Sequence, residues 1–309
     1  MAGSESPIEA FHEYLQMSKA PSTVVKYTRW VRALESWSDR TGTKISSRKV
    51  LYGFAESLAK RGDLGPRTIR SAMAASRRYL NWLIAQGHGV ADQIPPEIAR
   101  VPNEVLFTPT EVDVAEFLSR VDMDAPEPHA TVLHILAGTG MRVSEACGIL
   151  DADGRIGRSG ATKGWIVFTL RKTKNHRQRE VPLLPEQTAR VVDYLTRIRK
   201  EVPGSDATTY LFPGKRPGES VTRQAIEWHS QLVGKNMGAA ITPHSLRRFY
   251  VTRMTRLGVD RATVMKIVGH TNAAMFDRYY SPTVEDLVGK IVAAQAAEKD
   301  QEDTNGLDR

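Results

Sequence analysis

The stretch TPHSLRRFYVTR, residues 242–253, carries the decisive local pattern of this chain. Thr242 is suited to cap a helix with its side-chain oxygen and Pro243 fits the first helical position. A helix over 242–257 then places His244 and Arg247 on one face, about a turn apart. Both lie beside the free N–H groups and the positive dipole end of that helix, which together favour an anion. The stretch reads as a seat for a phosphate or a carboxylate. An isolated H-x-x-R pair also occurs on capped helices that merely face solvent, so the rest of the chain has to discriminate.

With 309 residues the chain is long enough for two domains, each with its own core. A hydrophobic fraction of 41% and a charged fraction of 25% are those of a globular protein. There is no run of 18 apolar residues and no basic-then-apolar leader in MAGSESPIEAFHEYL, so a cytoplasmic protein without a membrane segment is expected. The single cysteine, Cys147, cannot form an internal disulfide, and no Cys/His cluster has the spacing of a structural metal site. His129 and His134 are five residues apart and share no helix face. The net charge of +8 points to a polyanionic partner. Residues 1–104 hold 15 Lys and Arg against 10 Asp and Glu, whereas residues 298–309 hold 2 against 5. The body is basic throughout and only the tail is acidic.

The first hundred residues show helical periodicity and no strand pattern, with helices expected over 7–18, 22–40, 47–62 and 65–87. In the last of these, Ile69, Met73, Leu80 and Leu83 fall in one arc, with Arg67, Arg70, Arg77 and Arg78 in the neighbouring one. That is a buried stripe beside a cationic stripe, suited to face DNA. Residues 91–109 carry four prolines without a period and read as a linker. Beyond it the pattern is mixed. Helices are expected over 110–121, 127–138 and 142–150. WIVFTLR (165–171) and REVPLL (179–184) read as two strands joined by a polar turn, and helices follow from residue 185 onward. Expected boundaries are a helical domain over 1–90, the linker over 91–109, a second domain over 110–298 and an acidic tail over 299–309.

Three further stretches add chemistry. AGTGMRVSEACGIL puts Arg142 after a glycine turn and at a helix start, with Glu145 one turn on. It is not a dinucleotide fingerprint, because the third glycine would fall on Val143. KTKNHRQREVPLL offers Lys172 and Lys174 at a turn. VGHTNAAMFDRYYSP supplies His270 and, nine residues on, Tyr279 followed by Tyr280. Each alone is weak. Together, in this order over about 140 residues, they resemble the tyrosine recombinase (phage integrase) family in its simple Xer-like form, and the resemblance covers nearly the whole chain.

The resemblance implies a mainly α protein with a small β-sheet or hairpin in its catalytic domain, built as a helical, SAM-like core-binding domain followed by a mixed α/β catalytic domain. The chain resembles the members that lack an N-terminal arm-binding domain. It implies site-specific recombination through a 3′-phosphotyrosyl intermediate, on double-stranded DNA at a core site, with no cofactor and no metal. Carried over onto this sequence, Arg142 and Arg247 are the phosphate clamps, Lys174 (or Lys172) the hairpin lysine, His244 and His270 the two histidines, and Tyr279 the nucleophile. Glu145 matches the acidic residue supporting the first arginine. His176 departs from the small residue or lysine usual in the hairpin. Adjacent helical residues point about 100° apart, so Tyr279 and Tyr280 cannot both face one phosphate.

Each residue type suits its role. A tyrosine hydroxyl, with a reference pKa near 10, needs a proton acceptor such as His244 and a phosphorus flanked by cations. Arginines stay charged and grip two phosphate oxygens with a planar fork. A lysine on the hairpin can protonate the departing 5′ oxygen. The helix expected over 283–297, with Val284, Leu287, Val288, Ile291 and Ala294 in one stripe, is by resemblance exchanged between protomers of a DNA-bound homotetramer, and an accessory directionality factor is a candidate partner. Two other readings fit the same residues. One is type IB topoisomerase-like relaxation; the other is an architectural DNA-binding protein with a lapsed active site.

Overall fold

A computed structural model describes residues 6–98, 106–156, 164–171, 178–280 and 288–289. The chain divides into two compact units, residues 1–104 and 105–309. Among the described residues no helix is long and apolar enough to cross a membrane.

The first unit is made of α1 (Pro7–Gln16), α2 (Pro21–Thr41), α3 (Val50–Lys60) and α4 (Pro66–Ala85). Proline opens α1, α2 and α4, where its missing N–H costs nothing and its φ is already helical. The expected apolar arc of α4, Ile69, Met73, Leu80 and Leu83, is buried against Phe11, Val31, Leu34 and Phe54. Tyr79 lies in this core too, and its hydroxyl donates to Glu35 Oε1 at 2.5 Å. Of the neighbouring arginines, Arg67, Arg70 and Arg77 are exposed. Arg78 is set apart: it is half-buried, its Nη2 donates to the Tyr14 hydroxyl at 2.9 Å and its guanidinium lies 5.5 Å from that ring.

The first part of the expected linker is strapped to this unit. Ala91 N–H donates to Ser46 O at 3.2 Å, Ile94 N–H to Arg48 O at 3.0 Å, and the Gln93 side chain accepts from Leu51 N–H. Proline-rich sequence with no period suggests a linker, and backbone bonds to the α2–α3 connection hold this part of it down.

The second unit contains α5 (Glu111–Asp124), α6 (His129–Thr139), α7 (Val143–Cys147), β1 (Gly154–Ile156), β2 (Ile166–Leu170), β3 (Arg179–Pro182), α8 (Pro185–Asp193), α9 (Arg223–Asn236), α10 (Pro243–Arg256), α11 (Arg261–Val268) and α12 (Ala273–Tyr279). Helix α6 is buried almost all round, because α5, α8, α9 and α10 pack on it. A helix apolar on every face belongs at the centre of a domain. The three strands form an antiparallel sheet in the order β1-β2-β3, with Phe168 opposite both Gly154 and Val181. The sequence reading contained only two strands; β1 has three residues, too few to show alternation.

Helix α7 stops at Cys147 rather than at residue 150. Gly148 caps it, and Leu150 instead forms a β-bridge with Tyr210. Its entry depends on Gly140, which has φ +59° and lies so close to Tyr250 that an added Cβ would come within 2.6 Å of the ring. Both the dihedral and the space exclude a side chain. Gly42 also has positive φ, +69°, but faces open space. Gly42→Ala should therefore cost about 1–2 kcal/mol, the left-handed penalty alone, and Gly140→Ala about 1–3 kcal/mol more for the overpacking. Urea titrations of the two variants check this ordering.

Candidate active site

Helix α10 begins as the sequence dictates. Thr242 Oγ1 accepts from Ser245 N–H at 3.2 Å, Ser245 Oγ accepts from Thr242 N–H at 2.8 Å, and Pro243 follows the cap. This reciprocal box fixes the first turn. His244 projects from it into solvent, whereas Arg247 is only 2% exposed. Partial desolvation first, then the positive charges of Arg223, Arg247 and Arg248, hold the His244 pKa below the usual imidazole value. The ring is therefore neutral, and a proton acceptor, at neutral pH.

Arg247 is the largest fully buried side chain among the described residues. Its Nη1 donates to Gly140 O at 2.6 Å and its Nη2 to Val268 O at 2.7 Å, while Nε has no partner among the described residues. Among those residues no carboxylate forms an ion pair with it. Burial, then the charge of Arg142, pulls its pKa down to about 10, still well above neutrality. It remains a buried cation, with neutral carbonyls as its hydrogen-bond acceptors.

Arg142 sits at the N-cap of α7. Its backbone N–H donates to Glu145 Oε2 at 2.8 Å and its Nη1 to Glu145 Oε1 at 3.0 Å. The same carboxylate, 4% exposed, receives a bidentate fork from Arg179, with Nη1 to Oε1 at 2.8 Å and Nη2 to Oε2 at 2.7 Å. Burial pushes the Glu145 carboxyl up, but the Arg179 fork and then the Arg142 contacts outweigh it and hold the carboxyl below the usual range.

No sequence motif assigns Arg179 a role, although its place in the strand carries a signal. Strand alternation puts it on the same face as Val181 and Leu183, both fully buried, so an arginine there must find a buried anion.

The end of α11 ties these arginines together. Ile267 O accepts from Arg179 Nε at 2.8 Å, Val268 O from Arg247 Nη2 at 2.7 Å and Gly269 O from Arg142 Nη2 at 3.2 Å. Three successive carbonyls each hold one guanidinium. Gly269 has φ +73°, and a Cβ there would lie 2.9 Å from Arg179 Nη1, so only glycine fits.

The next residue, His270, is 7% exposed, and neither ring nitrogen has a hydrogen-bond partner among the described residues. Burial first, then the charges of Arg247, Arg142 and Arg179, push its pKa down to about 3. Its ring lies 4.9 Å from that of Tyr279, and the Arg247 guanidinium lies 5.4 Å from the same Tyr279 ring. The ring of Tyr280 lies 5.6 Å from that of Phe276. Beside Arg142, Arg179 and His270 opens a cleft of about 780 Å³, also lined by Arg155, Lys266 and Thr271.

The structure thus brings Arg142, Glu145, Arg247, His270 and Tyr279 together, with His244 one turn away on α10. Lys172, Lys174 and His176 lie outside the described residues, as do residues 299–309 and, apart from 288 and 289, the helix expected over 283–297.

Known proteins resemble this chain over most of its length. Residues 110–285 match the Phage integrase family, and residues 8–87 match the phage integrase N-terminal SAM-like domain. The chain is 25% identical to tyrosine recombinase XerC of Serratia marcescens, over 96% of each chain. It is 28% identical to tyrosine recombinase XerA of Thermococcus kodakarensis, over 97% of this chain and 99% of the other. Among solved structures, the Tn1549 transposon integrase in complex with circular intermediate DNA aligns with a TM-score of 0.66 at 21% identity, covering 93% of this chain and 99% of that one. XerH bound to a palindromic difH substrate aligns with a TM-score of 0.65 at 15% identity, over 87% of this chain and 77% of that one. With its catalytic-domain match spanning more than half its length, this chain belongs to the phage integrase family of tyrosine recombinases.

Proposed function

We propose that this protein is a site-specific DNA recombinase that cuts and rejoins strands through a 3′-phosphotyrosyl intermediate, with residues 1–90 as core-binding domain, 91–109 as linker and 110–298 as catalytic domain. The observation that carries the reading is the Tyr279 ring lying 4.9 Å from the His270 ring and 5.4 Å from the buried Arg247 guanidinium. A cation that deeply buried, with no carboxylate paired to it among the described residues, calls for an anion from outside, and a backbone phosphate supplies one.

In the proposed step, Arg247 and Arg142 hold the non-bridging oxygens of the scissile phosphate, and His270, neutral and without a hydrogen-bond partner among the described residues, donates one N–H to it. The Tyr279 hydroxyl attacks phosphorus as His244 takes its proton. The phosphorus–O5′ bond breaks, and Lys174 gives the leaving oxygen its proton. A 5′ hydroxyl from a second duplex then attacks the phosphotyrosine, restoring Tyr279 and a phosphodiester. Energy is conserved in the protein–DNA bond. The partner is double-stranded DNA at a core site. The working assembly is a homotetramer joined by exchange of residues 283–297, in the cytoplasm, with an accessory directionality factor as a further partner.

Three outcomes test this reading. On a nicked suicide duplex, Tyr279→Phe should eliminate covalent adduct while DNA binding persists, and Tyr280→Phe should leave adduct formation within about threefold; the opposite pattern would move the nucleophile to Tyr280. Arg70→Ala with Arg77→Ala should weaken binding and flatten the slope of log affinity against log salt by roughly one to two; an unchanged slope removes α4 from the DNA interface. Deleting residues 283–309 should leave a folded monomer that binds a single site but does not pair two. Tetramers formed by the truncated chain in native electrophoresis would sink the exchange model.

A further inference from the structure

We propose that Arg179 is a positioning residue for strand cleavage, keeping Arg142 available as a phosphate-binding cation by carrying the charge of Glu145. The inference rests on the reading of Arg142 as a phosphate clamp.

Glu145 is 4% exposed and ionised, its pKa held down. Its N–H capping contact to Arg142 requires the carboxylate where it is, at the start of α7. If Arg142 were its sole cationic partner, the two charges would cancel inside the protein, and the guanidinium would have to break a buried ion pair to reach phosphate. Arg179 changes this balance. Its fork occupies both carboxylate oxygens, at 2.8 and 2.7 Å, while Arg142 keeps one longer side-chain bond of 3.0 Å. Two guanidinium groups on one carboxylate leave the triad with a net charge of +1. The Arg179 side chain is 9% exposed against 18% for Arg142, so the surplus charge is presented through Arg142.

Geometry fixes which arginine plays which part. Arg179 has three anchors, two on Glu145 and one on Ile267 O at 2.8 Å, and its guanidinium is packed against Gly269. It is locked in place. The Arg142 side chain makes one bond to Glu145 and one, at 3.2 Å, to Gly269 O, which leaves three of its five N–H donors for a ligand.

The test is a double-mutant cycle on the full chain, read as the single-turnover rate of adduct formation on a nicked suicide duplex at saturating protein. Arg179→Gln should slow cleavage by about 100-fold, and Glu145→Gln with Arg179→Gln should recover at least tenfold of that loss, because the carboxylate that neutralises Arg142 is gone. A role confined to folding predicts no such recovery. Arg179→Lys, which keeps the charge and loses the fork, should stay within about tenfold of the parent. A double variant no faster than Arg179→Gln, or an Arg179→Lys variant as slow as it, overturns the proposal. Should Arg179→Gln not fold, the comparison is made between Glu145→Gln and the double variant: rates within threefold support the proposal, and a further 100-fold loss overturns it. Arg142→Ala is the separate control. Cleavage surviving in that variant would overturn the clamp reading itself, whatever the cycle shows.

Discussion

The catalytic unit depends on the carbonyls that one short helix leaves without intrahelical partners at its end. Helix α11 runs only from Arg261 to Val268, and like any helix it leaves its last C=O groups without intrahelical partners, at the negative end of its dipole. Elsewhere backbone N–H groups, water or a basic side chain satisfies them. Here Ile267, Val268 and Gly269 each accept from a different arginine, one from β3, one from α10 and one from the cap of α7. A structural need, capping a helix, and a functional need, gathering like charges, are met by the same three bonds.

Like charges so close repel, and the fold answers the two arginines most directly involved in different ways. Arg142 shares a carboxylate with Arg179. Arg247 has carbonyl oxygens and the face of an aromatic ring, a weaker compensation for a group 2% exposed. The imbalance shows in both pKa values around it, Arg247 at about 10 and His270 at about 3. Both shifts have burial as their first cause and a neighbouring arginine as their second. The free protein therefore holds repulsion that a bound phosphate would relieve.

Much of this was legible in the sequence, because the decisive features are local. The Thr242 cap, Pro243 and the one-turn spacing of His244 and Arg247 are set within six residues. The buried arc of α4 follows from its period, and the family is recoverable from the order of its short motifs. What escaped is what long-range contacts decide. Arg179 meets Glu145 across 34 residues, Arg78 meets Tyr14 across 64, and Gln93 reaches Leu51 across 42. Strand β1 is too short to carry a pattern, and α7 ends early because Leu150 finds a bridging partner at Tyr210, far along the chain.

The same separations set when in synthesis the arginines can come together. Arg142 meets Gly269 across 127 residues and Arg247 meets Gly140 across 107. A nascent chain that has emerged through α9 has Arg142, Glu145 and Arg179 but neither α10 nor α11, and so neither Arg247 nor the carbonyls that orient the others. The arrangement of the arginines is thus completed only after the last of these helices has left the ribosome.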